Sequence, residues 1–129
     1  MSGEVAGVRR PARRVPVAKL LVDTGSEFSR LPGPLLRRVG VTVAKKDLTF
    51  VMANGKTIKR STGYAILRAA GFETVDEVVF GQPGDLVLLG ARTLEGFGAD
   101  VDSRRKRLVA SGRHLAAPPD EKGLLRDQP

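Results

Sequence analysis

An apolar run that ends in Asp23-Thr24-Gly25-Ser26 constrains this chain more than any other feature. Residues Val15 to Val22, interrupted by Pro16, Ala18 and Lys19, read as a strand that delivers a carboxylate into a tight turn. Glu27-Phe28-Ser29-Arg30-Leu31-Pro32 follows. A carboxylate at the end of an apolar strand is costly to desolvate unless donors surround it. The turn supplies them locally: the amides of Gly25 and Ser26 and the hydroxyls of Thr24 and Ser26. Glycine beside the acid lets the backbone approach without a Cβ clash. Asp-Thr-Gly alone is an ordinary turn sequence, expected by chance in about 1% of chains this long. Its meaning comes from its surroundings.

Composition then narrows the chemistry. The chain has 129 residues, enough for one small domain with a modest core. It has no cysteine, which excludes disulfides, thiolate metal sites and cysteine nucleophiles. His114 is the single histidine and falls in the C-terminal tail, so multi-histidine metal sites are excluded and a Ser-His-Asp triad is left little room. Asp100 and Asp102, with no histidine or third carboxylate near them in sequence, read as turn residues, and no metal or cofactor is expected. The chemistry that remains belongs to carboxylates. No apolar run has the length of a bilayer span, and Met1-Ser2-Gly3-Glu4 lacks an apolar signal core, so the expected location is cytoplasmic.

The net charge of +8 is concentrated in Arg9, Arg10, Arg13 and Arg14 and in Arg104-Arg105-Lys106-Arg107. Neither run is interleaved with aromatic residues, and no helix-turn-helix spacing or zinc-finger pattern is present. Non-specific attraction to polyanions follows, but not sequence readout. No specific nucleic-acid partner and no membrane are expected.

Along the chain, residues 1–14 read as a basic, flexible tail, 15–112 as the folded domain, and 113–129, Pro-rich and charged, as a disordered tail. Pro32-Gly33-Pro34 breaks the chain before a short helix, Leu35 to Val39. Asp47 to Ala53 and Lys56 to Ala70 form a long hairpin whose tip is Ala53-Asn54-Gly55, because Asn-Gly between apolar runs is a strong hairpin signal. Thr74 to Phe80 returns as a β-branched strand; Leu86 to Leu89 is a buried strand ending at Gly90. Ala91 to Phe97 is a helical pattern stopped by Gly98, and Ala99 to Val101 and Arg107 to Ala110 are last short strands. Tyr64, the only tyrosine, is expected in the core. Many short strands with turn signals describe a closed, mostly β barrel.

Three stretches in this order resemble the retropepsin-type aspartic proteases: Asp23-Thr24-Gly25-Ser26 with Phe28, Ser29, Leu31 and Pro32; the Asn54-Gly55 hairpin; and Leu88-Leu89-Gly90-Ala91-Arg92-Thr93-Leu94-Glu95. The likeness is nearest to the single-domain bacterial members and covers about Val15 to Val109. It implies a retropepsin-like acid-protease barrel with a flap hairpin, and peptide hydrolysis by a water activated between two aspartates. That chemistry needs a base and an acid in one site, which two adjacent carboxylates sharing a proton provide; aspartic proteases are the standing example. None of the other aspartates is followed by Thr-Gly or Ser-Gly, so the second carboxylate must come from a second copy, in a homodimer acting on a peptide or protein substrate.

The resemblance assigns Asp23 as the catalytic residue, with Thr24, Gly25 and Ser26 supporting its loop. Substrate would meet Glu27, the flap tip Met52, Ala53, Asn54 and Gly55, and Leu88. Gly90 would lie beneath the catalytic loop. Two departures stand out. Viral relatives often carry an arginine directly after the glycine matching Gly90, where this chain has Ala91; Arg92, one residue later, would have to pair with Glu27 instead. The flap is also poorer in glycine than viral flaps. A protease fold that binds peptides without cleaving them is the alternative, and a basic nucleic-acid-binding barrel ranks third.

Overall fold

The computed structural model describes residues 1–105 and 107–111. The elements run β1 (Gly3–Gly7), β2 (Val15–Val17), β3 (Leu21–Val22), β4 (Ser29–Pro32), α1 (Gly33–Arg38), β5 (Lys45–Val51) and β6 (Thr57–Ala69). They continue with β7 (Phe72–Gly81), β8 (Leu88–Leu89), α2 (Ala91–Phe97), β9 (Ala99–Asp102) and β10 (Arg107–Ala110). Eight strands form one sheet in the order β2-β1-β6-β7-β4-β8-β3, with β5 pairing to β6; β9 and β10 form a separate antiparallel pair.

The two ends of this hydrogen-bonded path, β2 and β3, are consecutive in the chain. Between them Lys19 adopts a φ of 57°, and the strand changes partner from β1 to β8. A strand that bends and switches neighbours turns a sheet corner, so the sheet curls into a half-barrel. The single strand expected over Val15 to Val22 is therefore two. β4, unassigned in the sequence, adds beside β7 in parallel, Ser29 opposite Val78 through Pro32 opposite Gly81.

Alternation along β6 and β7 builds the core. Ala65, Leu67, Val78 and Phe80 are buried together with Val5, Leu31, Leu36 and Leu89, each fully buried large side chain contributing about 1.5–3 kcal/mol. The hairpin joining β6 to β7 turns through Ala70 and Gly71, both at positive φ, the type I′ geometry that matches strand twist. α2 lies against β7 with Gly96 against Thr74 and Phe97 stacked on Phe72 at 5.8 Å. Gly98, at φ 68°, ends α2 where expected.

Two expectations are corrected. Residues 1–14 are not a flexible tail: β1 pairs with β2 on one side and β6 on the other, and Val5 and Ala6 are both fully buried. A strand covered on both faces shows no polar–apolar alternation, and five arginine and proline positions close behind it masked the signal. Tyr64 is 46% exposed rather than in the core, because its parity in β6 turns it to the face away from the core residues Ala65 and Leu67. The tail expected over 113–129, with His114, lies outside the described residues. No helix among the described residues is long and apolar enough to cross a membrane.

Candidate active site

Asp23 is the last residue that β3 ties into the sheet. Leu21 and Val22 pair in parallel with Leu88 and Leu89, and the Asp23 amide donates to the Leu89 carbonyl at 2.9 Å. The chain then reverses, with the Ser26 amide donating to the Asp23 carbonyl at 3.2 Å. The Gly25 amide donates to Asp23 Oδ1 at 3.0 Å, and Ser26 Oγ donates to Oδ2 at 3.1 Å. Each carboxylate oxygen thus holds one donor from its own turn. Thr24 and Gly25 are exposed, while Asp23 and Ser26 are half-buried.

The loop is held from below by α2. Its first amides reach back, Ala91 to the Ser26 carbonyl at 2.7 Å and Arg92 to the Glu27 carbonyl at 3.1 Å. Gly90 permits this approach: a Cβ there would lie 2.6 Å from the Phe28 carbonyl carbon and oxygen and 2.8 Å from the Glu27 oxygen. Gly90→Ala should therefore lower the thermal midpoint by at least about 5 °C, the consequence of forcing backbone apart in a packed site. A melting curve superposing on wild type would show that the loop does not rest on Gly90.

Behind the loop runs a one-way chain of donors. Gly90 N–H donates to Ser29 Oγ at 2.9 Å, Ser29 shares a short hydroxyl–hydroxyl bond with Thr93, and Thr93 Oγ1 donates to Asp76 Oδ2 at 2.8 Å. Since Thr93 gives its proton to the carboxylate, it accepts that of Ser29. Ser29 and Thr93 are fully buried, where an unmet polar group costs about 1–3 kcal/mol. Both residues stand inside the two motifs, but nothing in the spacing paired them.

Arg92 takes the position its one-residue displacement left in question. Its Nη1 lies 4.0 Å from Glu27 Oε2 and 4.0 Å from Glu77 Oε1, and its guanidinium sits 4.8 Å from the centre of the Phe28 ring. Phe28 in turn meets Phe50 of the flap strand edge-on at 5.6 Å. Burial pushes the Glu77 carboxyl up, but the Thr62 hydroxyl, Lys45 and Arg92 outweigh it and hold the group below the ordinary range. The Phe28–Phe50 contact and the Glu77 cluster went unassigned in the sequence, since their partners come from different strands.

The flap tip has the expected position. The Gly55 amide donates to the Met52 carbonyl at 2.9 Å, the Lys56 amide to Asn54 Oδ1 at 3.0 Å, and Gly55 takes φ 84°. This is a three-residue turn closed by a left-handed glycine. Ala53, Asn54 and Gly55 are exposed and Met52 half-buried. Leu88, expected to meet substrate, is only 3% exposed; it is taken up by pairing with Leu21 and Arg30 and offers a ligand no surface in this conformation. Asp102 behaves as a turn residue, accepting the Arg104 and Arg105 amides. Among the described residues no group of histidine and carboxylate side chains could hold a metal.

A bidentate pair anchors the flap below its tip. Arg60 Nε and Nη2 donate to Asp85 Oδ2 and Oδ1 at 2.8 and 2.9 Å, joining β6 to the loop before β8. Arg60, aided by the Gln82 amide, holds the Asp85 carboxyl at about 2, below its ordinary 3.8. A carboxyl depressed by folding stabilises above its unfolded pKa of about 4 and loses that contribution as pH falls towards the folded value. Asp85→Asn should thus cost about 1–2 kcal/mol at neutral pH, allowing for solvent screening. The gap between the two melting temperatures should close near pH 2. A gap that stays constant with pH would contradict the assignment.

No family model matches this sequence, and no curated protein matches it. Among solved structures, the retroviral protease-like domain of Ddi1 from Leishmania major is similar, with a TM-score of 0.50 and 15% identity. The likeness covers 88% of this chain and 89% of that one. At such identity it shows the fold: a mostly β, retropepsin-like curled sheet with few short helices, as the order of the motifs led us to expect.

Proposed function

We propose that this chain is one half of a homodimeric aspartic endopeptidase in which Asp23 from each of two copies shares a proton. The observation that carries this reading is the Asp23 carboxylate itself. It is half-buried at the end of a parallel strand pair, with one donor on each oxygen and exposed Thr24 and Gly25 beside it. Among the described residues the hydrogen bonds to its carboxylate come from its own turn, and the sequence has no second Asp-Thr-Gly, so a single chain holds half of an acid–base pair.

The surface beside the loop supports pairing. Thr24 lines an open groove of about 560 Å³ with α2 and β9, including Leu94, Ala99 and Val101. Val101 is 37% exposed. Among the described residues β10 pairs with β9 alone, leaving an edge that a second copy could complete. β2 (Val15–Val17), at one end of its sheet path, offers a second such edge.

In the paired site, one carboxylate takes a proton from water as the oxygen adds to the scissile carbonyl. The other, protonated, donates to the carbonyl oxygen, giving a neutral tetrahedral diol. On collapse the carboxyl that took the water's proton gives it to the leaving nitrogen, the other carboxylate takes a diol proton as the carbonyl re-forms, and the C–N bond breaks, which leaves one proton on the pair again. The flap tip closes over the substrate and excludes water, with Phe28–Phe50 coupling flap to loop.

The test is cleavage of an unfolded protein across pH. Activity should follow a bell with its maximum on the acid side, because the working form carries one proton on two carboxylates. A peptide bearing a tetrahedral alcohol in place of the scissile carbonyl should inhibit it. Binding of peptide without cleavage at any pH would favour the silent binding module, and rates rising steadily into the alkaline range would exclude the dyad.

A further inference from the structure

The strand pair β1–β2 closes through the loop Val8–Arg14, which carries Arg9, Arg10, Arg13 and Arg14, all exposed. This loop is built rather than loose. The Arg10 amide donates to the Gly7 carbonyl at 3.1 Å, Arg13 to Arg10 at 3.0 Å and Arg14 to Ala12 at 3.1 Å. From beneath, Arg68 Nη2 donates to the Pro11 carbonyl at 2.9 Å. Gly7, where the loop begins, is in close contact with the Val39 carbonyl just past α1, which brings the exposed Arg37 and Arg38 to the same end of the half-barrel. Acidic compensation is slight: Glu4 lies 3.6 Å from Arg14, and Glu73 is engaged by Arg68. Arg9, Arg10 and Arg13 have no ion-pair partner among the described residues.

We infer that this end of the molecule is a docking surface for the phosphate backbone of nucleic acid, bound without base readout. The chemistry of the loop suits that partner, and its lack of apolar anchors sets it apart from a protein-docking surface. The cations of the loop and of α1 are arginines, whose planar fork matches phosphate bidentately. The loop has no exposed aromatic residue to stack a base. It also lacks the apolar anchors that a protein interface needs at its centre, Val8 being its only exposed large hydrophobic residue. Turn hydrogen bonds pre-arrange the arginines, which reduces the ordering cost of binding. β2 and β3, with the bend at Lys19 between them, carry the chain from this loop to Asp23, and no residue of the loop lines the groove beside Thr24. It anchors the protein without occupying the cleft.

The test uses the full chain and a short fluorescent DNA duplex of random sequence, with anisotropy read over a salt series. Wild type should bind with a logarithmic salt slope of about −3 or steeper, one unit for each phosphate neutralised. Arg9→Gln/Arg10→Gln/Arg13→Gln should lose about tenfold or more in affinity and flatten the slope. Arg104→Gln/Arg105→Gln/Arg107→Gln, which removes the same charge elsewhere, should bind within about twofold of wild type. If the glutamine loop variant fails to melt cooperatively, Arg9→Lys/Arg10→Lys/Arg13→Lys keeps the charge and should weaken binding while retaining the slope. Equal losses in the loop and control variants would reduce the effect to net charge and overturn the proposal. So would a loop variant that binds as wild type, or polyglutamate competing better than duplex at equal charge.

Discussion

Asp23→Asn should lower the rate of peptide cleavage by about 10³-fold or more, with the thermal midpoint within a few degrees of wild type. Asparagine matches the shape of aspartate, and its Oδ1 still accepts the Gly25 amide that meets Asp23 at 3.0 Å. The Ser26 hydroxyl, which now donates to Oδ2 at 3.1 Å, can rotate to accept from the new amide. What is lost is the proton. The amide can neither take one from water nor give one to the carbonyl, so the acid–base cycle stops while the loop keeps its bonds to α2. Full activity in this variant would remove Asp23 from the chemistry. Loss of activity together with loss of cooperative melting would instead show that its role is in holding the turn.

Dilution should have the next largest effect. With one Asp-Thr-Gly per chain, activity requires pairing, and pairing obeys mass action. At a total concentration about a tenth of the dimer dissociation constant, only about 15% of chains remain paired, so specific activity falls roughly sevenfold. The tetrahedral inhibitor should restore the dimer by binding only the complete site. A flat specific activity across the same range, with a monomeric mass in solution, would place the whole site within one chain.

What the sequence disclosed follows from the range of each interaction. The Asp23 turn, the Ala53-Asn54-Gly55 tip and the bounds of α2 rest on residues a few positions apart, and their turn and capping chemistry is written locally. β1 was hidden because Val5 and Ala6 are buried on opposite faces, so no period of two survives. The Ser29–Thr93 bond joins positions 64 residues apart, and the Arg60–Asp85 clamp 25. Such pairs depend on the curl of the sheet, which no local pattern encodes. Leu88 shows the limit of carrying roles by motif alone: it stands in the right stretch, yet its side chain is buried. Arg92 shows the converse, since a displaced arginine still reaches Glu27.

The most direct measurement mixes wild-type and Asp23→Asn chains at constant total concentration and follows cleavage as the mutant fraction rises. If two copies share one site, only wild-type homodimers are active, and the rate should fall as the square of the wild-type mole fraction. A rate falling linearly with that fraction would mean that each chain works alone, and the shared-aspartate account would be wrong.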